Sequence, residues 1–458
     1  MKKTLNKIVR EDNFLSLTGN LTIAIFGITS FAILARTYSV SEFGQWVLFI
    51  SSGSFIEVFR FGITNTALIR YLSGADDEQR IKLIGSNALI GLGSTTVIVI
   101  LLLLTNLIFH NAIQNSAYAL FFNWYPILAF INLPWNNALV VLQADRKYGK
   151  ILLLKALNSV PFFFILLVNY FFFKMTLVEV VWAMLIINVF TSIVSMLMGW
   201  DGLKDIRKAS SETNKTLLHF GKYTTFTLVG TNLLRSADTL IISLSPLGSS
   251  AVALYSIPMK LTELQQIPLR SFVATAFPKM SKASIHGKMN EVREHFYAYA
   301  GALTYLFVFM SLFTFVFADI FVLFLAGKKY LQNDPATGFN AVNIVRVFSL
   351  YGLLLPIDRM TGIGLDSINK PNINAIKVLF MVIANIVGDL IAIFLFKSLI
   401  MVAVGSILFT ILGIWIGMYF LDKELTLSYS EIFIKGANFY KSIFNKLLHK
   451  KDLASNEI

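Results

Sequence analysis

The sequence predicts an all-α polytopic membrane protein, and three observations carry that class. Hydrophobic residues make up 56% of the 458 and charged residues only 14%, with a mean hydropathy of +0.68; an ordinary soluble domain carries about 25% charge. Apolar runs recur along the whole length, each long enough to cross roughly 30 Å of hydrocarbon as a helix. The connections between them are short and leave no stretch for an extramembrane domain.

Twelve spans are expected. The first, 14–35, follows "MKKTLNKIVREDN" and is long enough to stay as a membrane helix and not serve as a cleaved signal. Spans at 46–70, 83–108, 117–143, 151–173 and 177–200 complete a first bundle over residues 1–200. The polar stretch "DGLKDIRKASSETNKTLLHFGK" supplies a basic cytoplasmic linker at 201–221. A second bundle over 222–421 holds spans at 222–244, 252–278, 297–325, 339–365, 371–396 and 399–421. The tail, 422–458, spaces Phe433, Ala437, Tyr440, Phe444 and Leu447 three or four apart among lysines, the pattern of an amphipathic helix lying on the inner membrane surface. Lys and Arg crowd the start, the tail and alternate connections, so the positive-inside rule places both termini in the cytoplasm. The net charge of +13 is then a topology signal facing anionic lipid, not a nucleic-acid footprint. Without any Cys, disulfide and thiolate chemistry are excluded.

Ionisable residues inside spans are costly and mark functional candidates. The basic ones are Arg60, Lys155, Arg235, Lys260, Arg270, Arg346 and Arg359; Glu57, Asp238, Glu263, Asp358 and Asp389 accompany them. Residues three or four apart share a helix face, which gives three polar stripes: Glu57, Arg60 and Thr64; Asn232, Arg235, Ser236, Thr239 and Ser243; and Ser256, Lys260, Glu263 and Arg270, with Gln266 at the margin. Glu57–Arg60, Arg235–Asp238 and Lys260–Glu263 have the spacing of local ion pairs, so helix-to-helix glue is one reading. Arg270 and Arg346 have no acid at that spacing, which favours a hydrated, cationic cavity for an anionic ligand. Arg suits phosphate because its planar fork binds bidentately. Asp238 and Asp389 are candidates for coupling to an ion gradient, or for neutralising a nearby Arg. Trp124, Asn132, Trp135, Asn136 and Asn137 either contact sugar or serve anchoring and packing. Pro134, Pro161, Pro258, Pro268 and Pro356 interrupt spans and free carbonyls there.

A weak duplication sets "SEFGQWVLF" from Ser41 against "SAVALYSIP" from Ser250, and the same offset pairs Glu57 with Gln266 and Arg70 with Lys279. Paired bundles of this kind hold substrate between two related halves. At "ILARTYSVSEFGQWVLF", "FRFGITNTALIRYLS" and "SADTLIISLSPLGSSAVALYSIPMKLTELQQIPLRSFVATAFPKMS" the chain resembles the bacterial O-antigen type polysaccharide flippases of the multidrug/oligosaccharidyl-lipid/polysaccharide exporter superfamily. The resemblance implies two six-helix bundles in a V, opening alternately to each side around a central cavity. It implies transfer of undecaprenyl-pyrophosphate-linked repeat units from the cytoplasmic to the outer leaflet of the bacterial inner membrane, alongside a polymerase and a chain-length regulator. It makes Arg60, Arg235, Lys260, Arg270 and Arg346 the pyrophosphate candidates, with Glu57, Asp238, Glu263 and Asp389 as supporting or coupling carboxylates.

An enzyme is not expected. "LHFGKYTT" lacks the upstream Gly of a phosphate-binding loop, the five His form no metal-spaced cluster, and "GADDEQR" reads as a solvated charge run. No cofactor or metal is called for. Three alternatives stay open: a cation-coupled multidrug exporter of the same superfamily, disfavoured by the basic excess in the spans; a lipid-linked peptidoglycan-precursor flippase, disfavoured by the count of twelve spans; and a non-transporting scaffold of the assembly machinery.

Overall fold

The computed structural model describes the backbone of residues 12–72 and 75–455, and the side chains of 24–442 apart from 73, 74, 223, 224, 226 and 227. Among the described residues the secondary structure is helical, with no strand. In chain order the helices are α1 Asp12–Thr37, α2 Val40–Phe61, α3 Asn65–Leu72, α4 Asp77–Ile108, α5 His110–Gln114, α6 Ala119–Ile131, α7 Leu133–Ala144, α8 Tyr148–Phe171 and α9 Leu177–Leu197. They continue with α10 Ser211–Ser243, α11 Gly248–Ile285, α12 Met289–Val316, α13 Ala318–Leu325, α14 Ala341–Ser367, α15 Pro371–Leu390, α16 Leu399–Leu425 and α17 Tyr429–Ser455.

Side-chain caps explain several starts, because the first backbone N–H groups of a helix have no partner within it. Ser39 and Glu42 form a reciprocal capping box on α2, and Thr176 and Glu179 another on α9. Asp76 accepts from the Gln79 amide at 2.8 Å to open α4, and Asn340 from the Asn343 amide at 3.0 Å to open α14.

Seven helices are long and apolar enough to cross a membrane: α4, α8, α9, α12, α14, α15 with its π-helical extension to Leu395, and α16. Two bent pairs, α2 with α3 (44°) and α6 with α7 (50°), bring the count to nine among the described residues. Each of the twelve expected ranges falls on helix, the range 297–325 across both α12 and α13, but twelve spans do not follow by length and composition. The expected spans 222–244 and 252–278 fall on α10 and α11, whose polar and charged stripes dilute the apolar character. On α1 the described side chains begin at Ala24, and Ala24–Thr37 is apolar. Large apolar side chains stand exposed on the outer faces: Leu107 is 75% exposed on α4, Phe171 66% on α8 and Ile186 64% on α9. Contiguous apolar surface of this extent belongs in lipid. The protein is a multi-pass membrane protein.

The chain divides into two compact units. Unit 1 comprises Met1–Ala253 and Phe324–Lys329. In it Trp46 of α2 stacks on Phe162 of α8 at 5.9 Å, and Phe26 of α1 meets Phe163 edge-on at 5.2 Å. α10 lies so close to the α2–α3 break that a Cβ on Gly221 would collide with the Ile63 carbonyl. Unit 2 comprises Leu254–Leu323 and Tyr330–Ile458. Its core runs through α11, α12, α14 and α16, with Phe296, Phe307, Met360, Leu365 and Leu421 all fully buried.

Candidate functional site

In unit 1 the structure brings Glu57, Arg60 and Asn132 together where two helices break. Arg60, in the last turn of α2, is 0% exposed. Its Nε donates to Thr95 Oγ1 at 3.1 Å, its Nη1 to Asn132 Oδ1 at 3.0 Å and its Nη2 to the Ala129 carbonyl. The guanidinium also lies 4.6 Å from the Phe61 ring centroid, a cation–π distance. Asn132 Nδ2 donates to Glu57 Oε1 at 2.8 Å. Only this amide orientation serves both neighbours, since Arg60 can only donate and an ionised Glu57 only accept. Glu57 and Arg60 therefore meet through Asn132, although one turn separates them on α2.

The remaining cations are more open. On α10 Arg235 is exposed and Asp238, one turn on, is buried. In unit 2 Lys260 Nζ pairs with Glu263 Oε2 at 2.8 Å, both part-exposed. Arg270 is exposed, with Nη2 3.4 Å from Gln266 Oε1. Arg346 pairs with Asp319 of α13 at 3.2 Å. Local spacing gave Arg346 no acidic partner; the fold supplies one from 27 residues away. Asp389 is fully buried on α15 and accepts from Asn385 Nδ2 at 3.2 Å. Three residues of the fourth expected span make contacts within the protein. Trp135 Nε1 donates to Asn188 Oδ1 at 3.1 Å, Asn136 Nδ2 to the Asn132 carbonyl at 2.9 Å, and Trp124 meets Trp182 edge-on at 5.0 Å.

Sequence reasoning missed Lys377. It is 2% exposed, and its Nζ contacts Asp358 Oδ1 at 2.6 Å, the Asp358 carbonyl at 2.8 Å and Thr361 Oγ1 at 3.1 Å. Its place near the start of the expected span 371–396 made it look like a terminal-turn topology signal. Among the described residues no cluster of three His, Cys, Asp or Glu offers a metal site.

The fold is similar to that of solved transporters of the MOP superfamily. The inward closed conformation of the lipid II flippase MurJ matches with a TM-score of 0.70 at 14% identity, covering 95% of this chain and 93% of that one. An inward-facing multidrug resistance MATE family transporter matches at 0.68 and 16%, over 90% and 98%. A MOP superfamily transporter from Pyrococcus furiosus, described as having a binding pocket of reverse polarity, matches at 0.60 and 15%, over 92% and 95%. At these identities the likeness is one of fold. Comparison with curated proteins gave no match. The polysaccharide biosynthesis protein family matches residues 9–284, more than half of the chain, and the chain belongs to that family.

Proposed function

We propose that the protein is a flippase, moving undecaprenyl-pyrophosphate-linked oligosaccharide repeat units from the cytoplasmic to the outer leaflet of a bacterial inner membrane for O-antigen type surface polysaccharide synthesis. The observation that carries this reading is that a member of a polysaccharide biosynthesis family has the fold of a membrane exporter along its whole length. A polymer built from lipid-linked units on one membrane face and assembled on the other needs that step.

The physical problem is the headgroup. Phosphates and sugars lose their hydration in hydrocarbon, at a penalty no single contact offsets. Arg235 and Arg270, both exposed, present guanidinium forks for phosphate. Lys260 and Arg346, held by Glu263 and Asp319, add charge that an arriving anion competes for. Polymerase and chain-length regulator are the partners this reading implies.

The test is deletion of the gene followed by analysis of surface glycan and lipid-linked intermediates. Loss of polymer with units retained on the cytoplasmic leaflet is expected, with Arg235→Ala and Arg270→Ala failing to restore export and the Lys variants restoring part of it. Units that reach the outer leaflet and stay unpolymerised would mark an assembly scaffold. Efflux of cationic drugs by the purified protein, with polymer unaffected by deletion, would mark a drug exporter. Either result overturns the proposal.

A further inference from the structure

The two bent pairs of unit 1 break at adjoining places. α2 ends at Phe61 and α3 begins at Asn65; α6 ends at Ile131 and α7 begins at Leu133, with Asn132 the single residue between. Arg60, one residue before the end of α2, donates to that single residue.

A break in a membrane helix frees carbonyls that lipid cannot satisfy, so each must find a donor inside the protein. Here side chains supply them. Ser94 Oγ donates to the Arg60 carbonyl at 3.1 Å, and Ser192 Oγ to the Ile131 carbonyl at 2.5 Å. Arg60 Nη2 donates to the Ala129 carbonyl, while the Asn132 carbonyl keeps a backbone partner, the Asn136 amide at 3.1 Å, and receives Asn136 Nδ2 in addition. Arg60 thus binds the second break twice, through the Asn132 side chain and through the Ala129 backbone. Asn132 returns the contact by donating to Glu57 on α2. These contacts tie the last turns of α2, just before its break, to the end of α6 and to the single residue of the second break.

We infer that Arg60, Asn132 and Glu57 form a latch that makes the α2–α3 and α6–α7 bends change together, with Arg60 and Asn132 acting as positioning residues. The arrangement has the properties a latch needs. The guanidinium is fully buried and its rigid fork fixes direction as well as distance. Its acceptors in this contact are neutral, so the contact can be remade elsewhere without separating a tight ion pair. A change of bend that moves the last turn of α2 or Asn132 by itself pulls a buried donor from its acceptor, which is penalised, whereas a change that carries the two together preserves the set. The flanking positions are themselves plastic: residues 62–64 form a turn, and Pro134 in the first turn of α7 removes a backbone donor.

The test reads each bend separately and needs no cargo. The chain has no native Cys, so nitroxide labels can be placed in pairs at Ile50 and Thr66 across the first break, and at Ile127 and Gln143 across the second. All four positions are exposed. Arg60→Met and Asn132→Leu are each expected to broaden the distance distribution across both breaks, including the one on the other helix pair. Asn132→Asp combined with Glu57→Gln keeps an acceptor for Arg60 and reverses the donor and acceptor of the second contact, and this combination is expected to retain the wild-type distribution at the α2–α3 break. A change confined to the mutated helix pair, or no change, overturns the latch. If Arg60→Met is not recovered from membranes, Asn132→Leu read at the α2–α3 break decides alone, and Asn132→Ser stands in if that variant is lost as well.

A second measurement separates the latch from direct cargo binding. If each single variant lowers glycan export by about tenfold, the double variant is expected to lose about tenfold too, because the pair acts as one unit. Multiplied losses of about a hundredfold, the result for two independent cargo contacts, would refute it.

Discussion

Lys377 and Asp358 are the ion pair whose environment makes it matter. Their side chains are 3% and 20% exposed, and the ammonium also donates to the Asp358 carbonyl and Thr361 Oγ1. The Arg346–Asp319 pair is 38% and 59% exposed; pairs that open to solvent are worth only about 0–1 kcal/mol. Removing one member of a buried pair strands the other charge and costs about 3–5 kcal/mol, while replacing both with apolar residues of similar volume is close to neutral. Lys377→Met is therefore expected to lower the thermal stability of the purified protein sharply, and Lys377→Met with Asp358→Leu to recover most of it. A double variant no more stable than the single one would show that packing, not charge, holds this site. The pair was invisible to sequence spacing, because its members lie 19 residues apart on successive helices. Spacing on one helix did bring Lys260 and Glu263 together, since one helical turn already places them side by side.

At the scale of elements, α17 shows how a small residue redirects a helix. The apolar stripe of the tail pointed to a face built on Phe433, Ala437 and Tyr440, lying on the membrane surface. The described part of α17 packs along α12 through a buried face centred on Ile432 and Gly436, and this leaves Phe433, 53% exposed, and Ala437 on the outer side. Gly436 meets Gly301 backbone to backbone: a Cβ on Gly436 would lie 2.5 Å from the Gly301 carbonyl carbon and 2.7 Å from its Cα. Close approach then brings Tyr440 Oη to the Ala302 carbonyl at 2.8 Å, Lys435 to Glu294 at 2.6 Å, and Phe439 between Phe272 and Tyr299. The stripe ranked residues by size, whereas the contact selects the position where two backbones touch. Gly436→Leu is expected to destabilise unit 2 by about 1–3 kcal/mol through overpacking and to expose the connection before α17 to protease. Phe433→Ala, on the open face, is expected to change stability by no more than about 0.5 kcal/mol. The reverse ranking would show that the Gly436–Gly301 contact does not hold α17 in place.

Over the whole molecule, hydropathy located the helical passes because burial in lipid needs only length and apolar composition, which a sequence displays directly. It did not locate the breaks at 62–64 and 132: the run 46–70 reads as one span, and only Pro134 marked the second interruption. Nor did it show that Arg60 would be closed in by Thr95, Asn132 and Ala129, all distant in sequence. The same passes leave one expected coupling carboxylate in each unit, Asp238 at 5% exposure and Asp389 at 0%. A carboxylate at that depth is held at a cost, and one use for it is to bind and release a proton as its surroundings change. Under that use Asn imitates the protonated state permanently. Asp389→Asn, which keeps a hydrogen-bonding group beside Asn385, is then expected to leave the protein assembled but make export indifferent to collapse of the ion gradient; Asp238→Asn is the same test in unit 1. A carboxylate that only neutralises a neighbouring cation behaves differently: its loss lowers export at every gradient by a similar factor and leaves the dependence intact. Glycan export measured with and without an uncoupler separates the two. If both variants still lose export when the gradient is collapsed, as the wild type is expected to, neither carboxylate carries the coupling.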